Sequence, residues 1–209
     1  MENLKDIAYH TIKEKIINCT FAPGSFLDSA YLVQVLNMSR TPIREAITRL
    51  EQEGLVQVVS QKGVLIQNIT LKNIRDTYAA REVIEPQMIL RYGREISPET
   101  LLSCQKRLQA DMSNMSMEEI VELDDLLHKE IMYASNNDYF ISFFQSLCDQ
   151  NRRIQHMTKS LTERREKNQE AHLEILELLM EEKYEKASEL MEKHLKNSME
   201  EAFRYMMEH

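Results

Sequence analysis

The chain has 209 residues, 43 % apolar and 29 % charged, with four glycines and four prolines. A core and a charged surface are both available, and so few turn formers exclude an all-β sandwich or a TIM barrel in favour of helices; no apolar run approaches the ~18 residues of a membrane span. The net charge of −8 is uneven, with seven basic and seven acidic side chains in residues 1–70 against 19 and 27 in residues 71–209, which leaves room for a locally basic face in the first part. Three widely spaced cysteines, Cys19, Cys104 and Cys148, suit a reducing cytoplasm rather than a disulfide scaffold. The opening MENLKDIAYH reads as a charged helix and not as a secretion signal, so the expected location is cytoplasmic.

In residues 4–19, Leu4, Ile7, Ala8, Ile12, Ile16 and Ile17 recur with a helical period, and Pro23-Gly24 breaks the pattern. Asp28 or Ser29 can cap a short helix, AYLVQVLN, which ends in a tight turn at Asn37–Ser39. A third helix follows, with Thr41 as the expected N-cap, Pro42 at its first position, Ile43, Ile47 and Leu50 as its inner stripe and Gly54 beyond its end. LVQVV and VLIQNI then alternate on either side of Gln61-Lys62-Gly63, the pattern of a two-stranded hairpin.

Helix, helix, tight turn, helix and hairpin is the order of a winged helix-turn-helix, whose third helix enters the major groove of double-stranded DNA. Arg40 and Arg44 lie i, i+4 on one face and are read as turned away from the buried Ile43 and Ile47, where a guanidinium can bridge guanine O6 and N7. Ser39 and Thr41 suit phosphate, Arg49 follows a turn later, and Lys62-Gly63 forms the wing tip, where glycine allows close backbone approach. A capped helix bearing ordinary surface arginines is the plainer reading of the same residues.

From residue 71 onward the periodicity predicts six helices, at 71–93, 97–112, 117–135, 138–158, 161–181 and 184–207, with a kink expected at Pro86 and a break at Ser160–Thr162. The predicted fold is mainly α: a winged helix-turn-helix with a small β-hairpin wing over 1–70, then an antiparallel six-helix bundle over 71–209. Within the bundle, Asp124 and His128 lie along the stripe Ile120, Leu123, Leu127, Ile131 rather than opposite it. His172 sits with Ile175, Leu176 and Leu179, and His194 with Ala187, Met191 and Leu195. A carboxylate and three imidazoles aimed inward from three helices make a plausible ligand set for Zn²⁺, Ni²⁺ or Mn²⁺. Each histidine alone would more simply be a hydrogen-bonded core residue, and Asp124 could pair with His128.

The string LNMSRTPIREA, followed by Arg49-Leu50, EGLV and Lys62-Gly63, resembles the N-terminal domain of the GntR family of bacterial transcription regulators over about residues 8–68. The resemblance implies that Arg40 and Arg44 read or anchor DNA, helped by Ser39 and the wing. Two positions depart from the family pattern: Ala30-Tyr31 stands where a charged residue is common, and Asn37 replaces the usual turn glycine while tolerating the left-handed conformation. DDLLHKEIMYASNN and EAHLEILELL with KASELMEKHL resemble the FCD effector domain of the FadR-type branch over roughly 72–200, and six helices rather than seven resemble its VanR-like subgroup.

In that domain Asp124, His128, His172 and His194 match metal-binding positions, with Zn²⁺ the first choice. The resemblance implies a sensor whose metal holds a small carboxylate or sugar acid, with Arg81 in AAREVIEP as an effector contact; an ion pair of Arg81 with Glu85 is the simpler alternative. Arg152, next to Arg153, offers the effector a second cation, though such a pair is more simply surface charge. The function expected is therefore an effector-responsive regulator, a repressor that binds operator DNA as a homodimer and has no membrane partner. A metal-dependent hydrolase, or a structural dimer with a vestigial site, are the alternatives.

Overall fold

A computed structural model describes residues 3–158 and 162–208. The chain divides into two compact units, Met1–Thr70 and Leu71–His209. The first holds α1 (Leu4–Ile17), β1 (Phe26–Leu27), α2 (Ser29–Leu36), α3 (Arg40–Gln52), β2 (Val56–Val59) and β3 (Gly63–Ile66). The second holds α4 (Leu71–Tyr92), α5 (Pro98–Leu108), α6 (Met117–Tyr133), α7 (Asp138–Thr158), α8 (Thr162–Met180) and α9 (Tyr184–Glu208). The fold is mainly helical, with a strand-built wing in the first unit and a six-helix bundle in the second. Of the break expected at 160–162, residues 160 and 161 lie outside the described residues, and Thr162 opens α8.

The expected caps explain most of the starts. Asp28 accepts the Tyr31 N–H at 2.7 Å and opens α2. Asn37 ends that helix at φ 51°, ψ 42°, in the left-handed region that asparagine tolerates. The third helix starts one residue before its expected cap: Ser39 is the N-cap, and Arg40, Thr41 and Pro42 fill the first turn. Proline is accepted there because the first N–H groups of a helix have no intrahelical partner. Ile43, Ile47 and Leu50 are buried against Ala8, Ile12 and Ile16 of α1, whereas Leu4, expected inward, is exposed.

The wing has three strands rather than two, in the order β1-β3-β2. Phe26 and Leu27 pair antiparallel with Leu65 and Val64, just after the Pro23-Gly24 breaker. Two residues are too short a run for an alternation signal, so this strand is invisible to periodicity. Gly63 sits at φ 102°, and a Cβ there would come 2.5 Å from the Leu27 carbonyl oxygen. The close approach that this glycine permits is thus to β1.

In the second unit α4 runs on through Pro86 to Tyr92 and packs along α9, while α8 lies against α5, α6 and α9. Ser116 caps α6 in a reciprocal capping box with Glu119. Ile120, Leu123, Leu127 and Ile131 of α6 are buried, as are Ile74, Tyr78 and Ile89 of α4 and Ile175, Leu176 and Leu179 of α8, and α6 packs against both of these helices. The cysteines are free thiols, and none of the described helices is long and apolar enough to cross a membrane.

Candidate functional site

Two regions carry chemistry, one in each unit. In the first, Ser39, Arg40, Thr41 and Arg44 are all exposed on the opening turns of α3. The Ser39 hydroxyl makes no capping bond, and no carboxylate pairs with Arg40 or Arg44 among the described residues. Lys62 is exposed on the turn between β2 and β3. Arg49 is placed differently. Its guanidinium lies 3.6 Å from the centroid of the Tyr9 ring, with Asp6 and Glu53 each at 3.7 Å. Tyr9 donates to Glu53 at 2.6 Å and Lys13 reaches the same carboxylate at 2.9 Å. Arg49 therefore belongs to a charged seam between α1 and α3, about 180° around the helix from Arg40 at 3.6 residues per turn.

The second region lies inside the bundle. His128 from α6, His172 from α8 and His194 from α9 are all buried, and one ring nitrogen of each falls within 4.8 Å of the others. The His172 Nε2 stands 3.1 Å from His128 Nε2 and 3.0 Å from His194 Nε2. Burial pulls the His172 pKa down to about 4, although the Asp124 charge works against it. A buried neutral imidazole offers one lone pair, and three such nitrogens this close suit a shared cation.

The outer nitrogen of His128 has its own partner. Glu85 of α4 meets His128 Nδ1 at 2.5 Å and accepts from Arg81 Nε at 2.6 Å. Arg81, Glu85 and His128 are all buried. Burial alone would raise the Glu85 pKa, but Arg81 and His128 outweigh it and bring it to about 2. An ionised Glu85 holds a proton on Nδ1 of His128 and leaves Nε2 facing the cluster. The i, i+4 spacing of Arg81 and Glu85 made their ion pair legible in the sequence. The bridge to His128, 43 positions away, had no such signal.

Asp124 stands beside the cluster but outside it. It accepts from Gln155 Nε2 at 2.5 Å and from Asn168 Nδ2 at 3.3 Å. Burial would raise its pKa, yet the nearby His172, His128 and Arg81 and the Gln155 bond hold it below the usual range. Three of the four expected metal ligands are thus brought together, with the fourth turned to two amides. Arg152, expected near the effector, donates to the buried Asp125 at 2.5 Å. Both arginines read as effector contacts are committed to carboxylates.

A narrow cleft of about 30 Å³ opens beside His172 and Asp124. Met112, Met117, Ile120 and Leu123 form its apolar wall, and Gln155 and Asn168 its polar one.

Residues 76–197 match the FCD domain, and residues 4–66 match the bacterial regulatory proteins of the gntR family. The HTH-type transcriptional regulator YdhC of Bacillus subtilis is 28 % identical over 145 residues, which are 68 % of this chain and 65 % of that protein. The chain thus spans just under two thirds of that relative's length. A crystal structure of a GntR transcriptional regulator from Rhodococcus sp. RHA1 shares the fold, with a TM-score of 0.84 over 95 % of this chain and 97 % of its own at 18 % identity. The Zn²⁺-bound FCD domain of TM0439 is 26 % identical, covers 68 % of this chain and 99 % of its own, and has a TM-score of 0.57.

Proposed function

We propose that this chain, which belongs to the GntR family of bacterial regulatory proteins and carries an FCD domain, is a metal-dependent sensor of a small organic acid that controls transcription as a homodimer. The family is one of DNA-binding regulators and not of enzymes, which removes the hydrolase alternative. The observation that carries the reading is the convergence of the His128, His172 and His194 Nε2 atoms, with His172 at the edge of a cleft. Zn²⁺ is the first choice for these three nitrogens, and the Zn²⁺-bound FCD domain of TM0439 supports it. When bound, the ion supplies a Lewis-acidic point that takes the effector's carboxylate in its open positions.

This chain's own residues prepare that site. Glu85 orients His128, and Arg81 keeps Glu85 ionised. Asp124 serves as the fourth ligand, and Gln155 and Asn168 steady its carboxylate. Arg81 and Arg152 act through their carboxylate partners rather than by touching the effector. The VanR-like subgroup fits the six-helix count.

In the first unit, Arg40 and Arg44 read base edges, while Ser39, Thr41 and the wing residues Lys62 and Gly63 meet the phosphate backbone. Arg49 braces α3 against α1. Two copies on a two-fold axis would match two half-sites. Repression is the mode proposed because operator occupancy alone suffices for it. The effector acts only through different affinities for the two arrangements of the dimer.

The test joins elemental analysis to operator selection. Wild-type protein should carry about one divalent ion per chain and should enrich a two-fold symmetric site from random duplexes. The His172→Ala, His194→Ala double variant should lose the ion. An equal metal content in both would overturn the metal site, and failure to enrich any sequence would overturn the regulator.

A further inference from the structure

The helix that carries Arg40 and Arg44 also carries an acid on the same face. Glu51 follows Arg40 by eleven residues, about three full turns at 3.6 residues per turn. A carboxylate turned toward a phosphate backbone is repelled by it. No lysine or arginine pairs with Glu51 among the described residues. Its Oε1 instead accepts the Val58 N–H at 2.7 Å.

Val58 belongs to the wing. In the sheet order β1-β3-β2, β2 is an outer strand, so alternate N–H groups along it point away from β3 and meet no other strand. The Val58 N–H is one of these, and Glu51 receives it. The two sides of the wing are held differently. On one side β1 pairs with β3, and Gly63 lies against the Leu27 carbonyl. On the other, Val56 is in the core, but Gln57 and Val58 beyond it are exposed, Val58 by 53 %. The Glu51 bond therefore ties the last turn of α3 to the strand that leads, four residues on, to Lys62.

We propose that Glu51 is a positioning residue for DNA binding: it holds the open edge of β2 to the end of α3, and so keeps the wing where Lys62 reaches a phosphate while Arg40 and Arg44 occupy the groove. The acid itself touches no DNA. The proposal rests on the reading of this unit as an operator binder and adds what fixes the wing to the helix that reads bases.

Two substitutions separate the bond from the charge. Glu51→Gln and Glu51→Ala remove the same charge, but the glutamine carbonyl still accepts the Val58 N–H. In the full chain without DNA, hydrogen exchange at the Val58 amide should be equally slow in wild type and Glu51→Gln, and about tenfold faster in Glu51→Ala, the contribution of one hydrogen bond. Binding to the selected operator over a salt series gives the second readout. Lys62→Ala should flatten the slope of log K against log salt by about 0.9 for each wing in wild type and in Glu51→Gln, and should leave it unchanged in Glu51→Ala. Each slope compares two proteins of one background, so lowered stability of Glu51→Ala does not imitate this result. A full Lys62 effect in Glu51→Ala, or equal Val58 exchange in all three proteins, overturns the proposal and leaves the DNA reading standing. So does loss of the Lys62 effect in Glu51→Gln, or a changed base preference there, which would make the Glu51 carboxylate a base contact. A Lys62→Ala that leaves the wild-type slope unaltered overturns it as well, because the wing then has no phosphate contact to position. Failure of the wild type to enrich any operator overturns the regulator reading and this proposal with it.

Discussion

His172 is uncharged in the folded chain because burial pulls its pKa down to about 4, against about 6.5 for an exposed imidazole. Unfolded chains therefore take up this proton first as the pH falls. The contribution of His172 to stability is complete above about pH 6.5 and drains away between there and pH 4. Glu85 works in a lower window, since Arg81 and His128 bring it from 4.5 to about 2. Its contribution is complete above about pH 4.5 and is lost as the pH approaches 2. The melting temperature of the metal-free protein should accordingly fall in two stages on acidification. His156, half-buried and also lowered by burial, acts in the upper window, so the His172 share is read as the difference between wild type and His172→Gln. Curves that stay parallel from pH 6.5 to 4 would show that the folded His172 is freely protonated.

At the scale of elements, the wing depends on one close approach. Gly63 has the positive φ of 102° that β-carbon-bearing residues avoid, and a Cβ would meet the Leu27 carbonyl at 2.5 Å. Carbonyl and neighbouring backbone cannot step aside without opening the pairing of Phe26 and Leu27 with β3. Gly63→Ala should thus cost about 1–3 kcal/mol in urea unfolding, from backbone strain together with the lost edge strand. Wild-type stability in this variant would mean that β1 is dispensable to the unit. The α1–α3 seam is a second device of this scale. Tyr9, Lys13, Arg49 and Glu53 join residues more than 30 positions apart, which is why Arg49 sits in the seam rather than on the face of Arg40 and Arg44.

For the whole molecule, sensing and DNA reading belong to separate compact units, and damage to one should spare the other. Arg44→Ala should weaken binding to the selected operator by about 10- to 100-fold, the 1–3 kcal/mol of one bidentate base contact, and relax the preference at the base it reads. Its zinc content should match wild type. Lys62→Ala should weaken binding evenly across sequences, as loss of a phosphate contact does. Unaltered specificity in Arg44→Ala, measured by competition between operator and shuffled duplexes, would move base reading elsewhere on α3.

The chain order of helices, the hairpin, the two-part division of charge and the inward histidines were all readable from sequence, because capping, periodicity and turn chemistry act over a few neighbouring residues. Asn37 in its left-handed turn and Asp28 at its cap are of this kind. So was the motif SRTPIREA, which pointed to the family before any coordinate did. Only the tertiary structure decided which polar groups meet across helices. Periodicity placed Arg81 inward and offered Glu85 as its partner, but could not reveal that Glu85 also grips His128. It aimed Asp124 at the core without finding the amides of Gln155 and Asn168 that hold it. It missed β1, whose two residues become a strand only because β3 lies beside them. Such pairings join positions tens of residues apart, and their geometry exists only once the helices have packed.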